Sequence, residues 1–255
     1  MQFARRNAVK STFWQCISGS ALILISSICL GQSVPQAGVD YRLADQPQPV
    51  SAGNKVEVTE FFGYFCPGCN AFEPHFEDWI KRQGDRIVVK RLHSDLHEVT
   101  TQQKLFFTLE AMGKVDDLQM KVFNTFHVDR NRLSTDAEVM KFVEKQGLDK
   151  KRFVELYNNA FMMDGKLRTV KQMQAAYKIN GIPTVIIEGK YIVSPLDVAA
   201  KAKAPGNSLQ PGLAVMDYLV DKVYREKNPP SAPKALPATI TSSKPAVSKK
   251  AEKQK

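Results

Sequence analysis

The sequence predicts an α/β protein whose sheet-forming segments are separated by a long block of helices. Three observations indicate this: β-rich segments flank the block, a helical pattern runs from about Glu98 to Lys178, and one amphipathic helix follows at the end. The predicted order is strand, helix, strand, helical block, hairpin, helix. A block of this length is large enough to form a small all-helical domain.

The first strand and helix are predicted around two closely spaced cysteines. Val56–Phe62 alternates in the manner of a strand and places Glu60 on the same face as its valines. A helix is expected from about Cys66, and Pro74 is expected to interrupt and kink it. The β-rich segment Ile87–Leu92 is predicted to form the second strand.

Capping residues mark helix boundaries within and after the block. Thr135 and Glu138 have the spacing of a capping box, and Gly147 is expected to end that helix. Asp149 is expected to cap the next helix. After the block, the sequence predicts a hairpin and a last helix: Thr184–Ile187 with Tyr191–Val193, then Pro211–Arg225.

The two ends of the chain have compositions unlike the middle. Basic residues precede a long uncharged stretch, and small residues follow it, which predicts a signal peptide cleaved after Ser33. An uncleaved membrane anchor is the alternative. From residue 226 the chain is rich in Lys, Pro and Ala, which is typical of a disordered tail. The expected organisation is a signal segment at 1–33, a sheet-containing domain split into 34–97 and 179–225, a helical domain at 98–178, and a tail at 226–255.

The charge distribution argues against nucleic-acid binding. The formal net charge is +10, but residues 1–30 carry +3 and residues 226–255 carry +5, which leaves +2 for residues 31–225. A nucleic-acid-binding protein is expected to carry its basic face on the folded part. The sequence therefore predicts no nucleic-acid partner.

Cysteine spacing is the strongest chemical signal in the chain. Of four cysteines, Cys16 and Cys29 lie in the export segment, and Cys66 and Cys69 form a Cys-Pro-Gly-Cys pair at a strand-to-helix junction. A disulfide that closes so short a loop removes little unfolded-state entropy, so a structural role is the weaker alternative. A zinc site is weaker still, because the four histidines form no compact second ligand pair. The spacing favours a redox pair.

The position of the pair assigns different roles to its members. Cys66 at the helix N-terminus would face unpaired N–H groups and the positive end of the helix dipole, which favour a thiolate. Pro67 suits the first helical turn because the missing donor costs nothing there. Cys69 lies one turn further on and is expected to be buried. We therefore expect Cys66 to attack and Cys69 to resolve.

Pro183, in Gly181-Ile182-Pro183-Thr184, lies at the start of a later strand. A proline there is either a plain strand boundary or a cis turn. The upstream Cys-x-x-Cys pair in this order of elements favours the cis alternative.

These motifs together resemble the DsbA family of periplasmic dithiol oxidases. EFFGYFCPGC, a proline-containing helix, a helical block and GIPTVIIEGKYIVSP occur in that order, and the similarity runs from about Tyr41 to Arg225. The resemblance implies a thioredoxin fold with an inserted all-helical domain. It also implies donation of disulfides to unfolded, newly exported proteins in the periplasm and reoxidation by a quinone-linked membrane oxidase of the DsbB type. A monomer is expected, with no metal and no cofactor beyond the redox-active disulfide.

The resemblance also implies site residues, carried over by position. Cys66 corresponds to the nucleophile, Cys69 to its buried partner and Pro183 to the cis-proline. Ile182 would offer backbone pairing to substrate, beside Pro67 and Gly68 at the substrate-binding surface.

Glu60 would be the buried acid that shuttles protons for Cys69. The alternative is a solvated glutamate at the end of a strand.

One departure and two rival functions remain open. The family usually has Pro-His between its cysteines, and Gly68 stands where the histidine would help to stabilise the thiolate, so a weaker oxidant is expected.

A disulfide reductase or isomerase is one rival, although isomerases of this kind usually carry a dimerisation domain for which residues 34–54 are too short. A periplasmic binding or chaperone module with little redox turnover is the other.

Overall fold

The protein is built on a five-stranded sheet with helices on both faces. The computed structural model describes residues 34–97 and 99–230, so the predicted signal peptide and the tail beyond residue 230 lie outside the described part. The strands are β1 (Arg42–Leu43), β2 (Val56–Phe62), β3 (Ile87–His93), β4 (Thr184–Ile187) and β5 (Tyr191–Val193). Their order in the sheet is β1-β5-β4-β2-β3; β2 pairs parallel with β3, and the other neighbours are antiparallel.

In the part of the chain that the structure describes, eight helices connect and cover these strands. They are α1 (Pro67–Gln83), α2 (Thr100–Ala111), α3 (Val115–His127), α4 (Asp136–Lys145), α5 (Lys150–Tyr157), α6 (Ala160–Tyr177), α7 (Pro195–Lys201) and α8 (Gln210–Lys227), with short 3₁₀ turns at Gly84–Arg86 and Pro205–Asn207. Five of them, α2–α6, lie in sequence between β3 and β4. The predicted α/β fold with inserted helices is confirmed. No helix in the described ranges is long and apolar enough to cross a membrane.

Strand β2 is buried along its whole length, which differs from the predicted alternation. All seven residues of β2 are buried, because helices cover both faces of this central strand and neighbouring strands cover both edges. The valines of β2 pack with aromatic residues of α1 and with α8. Phe61, on the opposite face, packs against Tyr177 of α6. The strand occurs at the predicted bounds, but its alternating pattern does not mark a solvated face, because Glu57 and Thr59, on the face of Phe61, are buried as well.

Helix α1 continues through Pro74, so the expected interruption is wrong. The helix runs from Pro67 to Gln83 with Pro74 inside it. Its aromatic residues are stacked, with ring centroids 5.2 Å apart for Phe72 and Phe76 and 5.7 Å apart for Phe76 and Trp79. Burial of these rings offsets the cost of an interior proline, which is about 3 kcal/mol.

Local capping signals predicted several boundaries correctly. The capping box of Thr135 and Glu138 is present, and the Asp149 side chain accepts from the Arg152 N–H. Gly147 follows α4 with φ +65°, where glycine is favoured. Helix α8 extends two residues beyond its predicted end at Arg225, to Lys227, whose ammonium pairs with Glu188.

The helical block shares its core with the end of β2. Phe62 packs edge-on against Phe106 of α2, with ring centroids 5.0 Å apart, and Tyr64 packs against Phe123 of α3 at 5.2 Å. Cys66 and Cys69 belong to the same apolar cluster. The inserted helices therefore form one wall of the region that holds the cysteines.

Candidate active site

The first turn of α1 holds the cysteine pair. Cys66 is the N-cap residue, with extended backbone (φ −86°, ψ 116°), and its Sγ accepts a hydrogen bond from the Cys69 N–H at 3.2 Å. Pro67 occupies the first helical position, as predicted. A sulfur at an N-cap receives N–H groups that lack helical partners, which stabilises negative charge on it.

The two thiols differ in accessibility and in acidity. Both are free; Cys66 is 8% exposed and Cys69 is fully buried. A hydrogen bond from the Cys69 thiol, followed by the N–H groups of Cys69 and Gly68, lowers the pKa of Cys66 to about 7 against the opposing effect of burial. Burial, and then the neighbouring Cys66 sulfur, raises the pKa of Cys69. Near neutral pH the pair therefore carries its thiolate on Cys66.

The loop before β4 lies against the reactive sulfur. The Ile182–Pro183 peptide bond is cis, as the sequence indicated. When it is protonated, the Cys66 thiol donates to the Ile182 carbonyl oxygen at 3.5 Å. Ile182 is half-buried and Gly181 is exposed, so a segment of another protein can approach the sulfur alongside this loop.

A buried charged network lies on the other side of the pair. Glu60 is fully buried, so the alternative of a solvated strand-end glutamate is wrong. Its Oε2 accepts from Arg91 Nε at 3.1 Å. Arg91 also pairs with Glu73, at 3.1 Å, and with Glu77, both on α1. One guanidinium thus faces three carboxyl groups.

The excess of three carboxyl groups over one guanidinium favours carboxyl groups that are protonated. Burial raises the pKa of Glu60 to about 7, although Arg91 opposes the shift. Burial and the charge of Glu60 raise the pKa of Glu73 to about 8. Glu60 Oε1 and Glu73 Oε2 have no hydrogen-bond partner within the described chain, so no donor stabilises negative charge on either oxygen. The charge of Glu60 also acts on both cysteine thiols.

Sequence reasoning missed Arg91, although a signal for it was present. Parallel pairing that starts at Val56 and Ile87 places Glu60 directly beside Arg91, and this is the observed register. Aligning the two predicted strands by their first residues would have found the pair.

Leu196 was also missed, because it lies in the seven-residue helix α7, which the sequence pattern did not reveal. A Cβ at Gly68 would lie 2.6 Å from Leu196 Cδ1, 3.6 Å from Pro183 Cδ and 3.7 Å from Cys66 Sγ. Leu196 therefore fills the space that a side chain at position 68 would need.

The structure thus brings together Cys66, Cys69, Pro67, Gly68, Ile182 and Pro183 in one place, and the charge of Glu60 reaches both thiols. Within residues 34–97 and 99–230, no group of three or more His, Cys, Asp or Glu side chains is arranged to hold a metal ion.

Comparison with known proteins assigns this arrangement to a family. Residues 57–204 match the family described as DSBA-like thioredoxin domain. A thiol:disulfide interchange protein DsbA from Burkholderia cepacia is 36% identical over 197 residues, which cover 76% of this chain and 89% of that protein. The chain belongs to the DsbA family.

Further members of the DsbA family agree in sequence and in fold. The DsbA of Pseudomonas aeruginosa is 33% identical over 73% of this chain and 84% of its own length. Its crystal structure matches with a TM-score of 0.64 over 74% of this chain and 94% of that one. Reduced DsbA1 from Neisseria meningitidis matches with a TM-score of 0.64 at 26% identity, covering 77% and 98%. With its cysteine pair in this fold, the chain is a thiol–disulfide oxidoreductase.

Proposed function

We propose that this oxidoreductase transfers the Cys66–Cys69 disulfide to newly exported proteins in the periplasm, acting as a monomer. The observation that carries the proposal is the asymmetry of the pair: a slightly exposed, acidic thiol at Cys66 and a fully buried, weakly acidic thiol at Cys69. A stabilised thiolate favours the reduced form of the pair, which makes its disulfide more oxidising. The basic and apolar N-terminal sequence supports export.

The reaction consists of two exchange steps. A substrate thiolate attacks Cys66 Sγ, the Cys66–Cys69 bond breaks, and Cys69 leaves and takes up a proton. A second substrate thiolate then attacks the substrate sulfur of the mixed disulfide, and Cys66 leaves as a thiolate. Two electrons pass from the substrate dithiol to the pair, and the substrate gains a disulfide.

The surrounding residues have separate parts in these steps. Glu60 supplies the proton for the departing Cys69 sulfur, since its raised pKa keeps a large fraction protonated near neutral pH. Ile182 offers its carbonyl oxygen to the backbone of the bound substrate, beside Pro67, Gly68 and Pro183. A quinone-linked membrane oxidase of the DsbB type would accept the two electrons and restore the disulfide.

A glutathione redox titration tests the direction of the reaction. Reference potentials run from about −270 mV for thioredoxin, a reductant, through about −180 mV for protein disulfide isomerase to about −120 mV for a strongly oxidising DsbA. We expect a value on the oxidising side of protein disulfide isomerase, and a value near that of thioredoxin would favour the reductase alternative. Serine at both cysteines must abolish oxidation of a reduced peptide. Retention of the protein's activity in that variant would favour a binding or chaperone module.

A further inference from the structure

Tyr64, two residues before Cys66, is held by three side chains from two elements, His93 of β3 and Gln119 and His127 of α3. Its backbone N–H donates to His93 Nε2 at 3.1 Å, and its carbonyl oxygen accepts from His127 Nε2 at 2.8 Å. Its hydroxyl donates to Gln119 Oε1 at 2.9 Å. The side chain is fully buried. Backbone and side chain of this residue are therefore fixed together.

The partners show which ring nitrogen of each imidazole carries a hydrogen. A carbonyl oxygen can only accept, so His127 carries a hydrogen on Nε2. His93 accepts from Tyr64 N–H on Nε2 and lies 3.0 Å from the Ser94 carbonyl oxygen on Nδ1, so its hydrogen is on Nδ1. Burial lowers the pKa of His93 to about 3, which keeps this ring neutral.

The two histidines fix consecutive peptide groups in the segment that leads to the reactive thiol. The Cys66 N–H donates to the Gly63 carbonyl oxygen at 3.0 Å and closes a tight turn around Tyr64. A Cβ at Gly63 would lie 2.5 Å from the Phe65 ring and 3.1 Å from Ile182 Cδ1, so the turn is also closely packed. If the Tyr64–Phe65 peptide group rotated, the N-cap geometry of Cys66 would change with it.

We propose that His127, the last residue of α3, is a positioning residue for Cys66. His127 holds the carbonyl group of Tyr64, while His93 holds its N–H group. His127 does not touch the sulfur. Its hydrogen bond keeps the turn in the conformation in which Cys66 Sγ meets the Cys69 N–H. The inserted helices thereby contribute to the acidity of a thiol that lies outside them. This inference rests on the assignment of Cys66 as the attacking sulfur.

The test compares variants of half-buried His127 in the reduced full-length protein. His127→Gln places an amide N–H close to where Nε2 was, whereas the shorter side chain of His127→Asn cannot reach the Tyr64 carbonyl oxygen. We expect His127→Asn to raise the pKa of Cys66 by about 0.5 to 1 unit, a change of roughly 3- to 10-fold in thiolate, since one hydrogen bond is lost. His127→Gln should stay within about 2-fold of the parent. His75→Leu, on the exposed side of α1, is the control and should change nothing.

Three measurements read the effect: thiolate ultraviolet absorbance against pH, the iodoacetamide rate about one unit below the pKa of Cys66, and the glutathione redox potential. The inference would be overturned if His127→Asn and His127→Gln had the same Cys66 pKa, whether that pKa equals the parent's or is shifted from it in both variants. Should His127→Asn fail to fold, His127→Leu makes the same comparison with His127→Gln. A parent protein whose Cys66 has the pKa of a free thiol, about 8.5, would instead contradict the proposed function, whatever the variants do.

Discussion

The surroundings of Cys66 and of Cys69 are opposite in character, although the two residues are one helical turn apart. Cys66 faces backbone N–H groups and the carbonyl oxygen of half-buried Ile182, and half-buried Leu196 lies next to the neighbouring Gly68. Cys69 is sealed from solvent, and the charge of Glu60 acts on its thiol. The pKa of the first falls and that of the second rises.

This difference shows how a symmetric pair of thiols acquires a direction. Donors at a helix N-terminus stabilise the charged form of the first sulfur, and burial destabilises the charged form of the second. Substrate can therefore exchange with Cys66 while Cys69 remains available to break the mixed disulfide.

Exchanging each cysteine for serine should have the largest effect. Both variants are expected to lose turnover completely, but they should fail differently. Cys69→Ser should accumulate mixed disulfides between Cys66 and substrate, because no internal thiol can displace the substrate. Non-reducing electrophoresis with peptide mapping measures this, and iodoacetamide should label Cys66 alone in the parent. Mixed disulfides on Cys69 in Cys66→Ser would reverse the assignment.

The buried carboxyl groups should make the reduced protein less stable as pH rises. The folded pKa of Glu60, about 7, and that of Glu73, about 8, both exceed the ordinary value of 4.5. Between pH 4.5 and 8 these two carboxyl groups therefore bind more protons in the folded state than in the unfolded state. Their contribution to the free energy of unfolding falls as pH rises through this range. The two carboxyl shifts together are worth several kcal/mol, and His93 opposes them below about pH 6.5, because its folded pKa of about 3 lies below its ordinary value of 6.5.

Urea denaturation at a series of pH values measures this fall. Glu73→Gln should reduce the slope, and Glu110→Gln, at an exposed position, should not. A Glu73→Gln variant whose stability has the same pH dependence as the parent would mean that the Glu73 carboxyl group is ionised in the folded protein.

Glu60→Gln tests whether the region beneath Cys69 takes part in catalysis. An amide cannot deliver a proton, so we expect oxidation of a reduced peptide to slow by about 10-fold near neutral pH, below the usual range for a lost general acid because other groups can supply the proton. The dependence of the rate on pH near 7 should also flatten. Stopped-flow kinetics across pH measures both, with Glu110→Gln as the control. An unchanged pH profile would leave Glu60 with a structural role only.

Adding a donor beside Cys66 should produce the smallest change. Gly68→His should lower the Cys66 pKa and raise the reduction potential by about 20 mV, equivalent to about 1 kcal/mol for this two-electron couple. Leu196 Cδ1 stands where the new Cβ must go, so Leu196→Ala combined with Gly68→His should give the full effect and the single variant less. A glutathione titration measures the potential, with Leu196→Ala alone as the control. A potential that falls in the double variant would show that residue 68 does not control oxidising strength.

Sequence by itself determined the features that depend on neighbours along the chain. Three of these features are local, because each forms from residues that are close in sequence. They are the Cys66–Cys69 spacing at a helix start, the capping box at Thr135 and the hairpin after Pro183. The burial of Glu60 was predicted from its phase in β2 and from the family resemblance. These signals were sufficient for the fold and for most of the residues that meet at the site.

Only the tertiary structure decided which distant residues surround the cysteines. Arg91 meets Glu60 through strand register, Leu196 covers Gly68 from a seven-residue helix, and His127 reaches Tyr64 from the inserted block. Helix α1 tolerates Pro74 because packing of its aromatic face outweighs the local cost. Burial and long-range hydrogen bonds set these contacts, and the resulting pKa shifts depend on charges and solvent exclusion that no short stretch of sequence encodes.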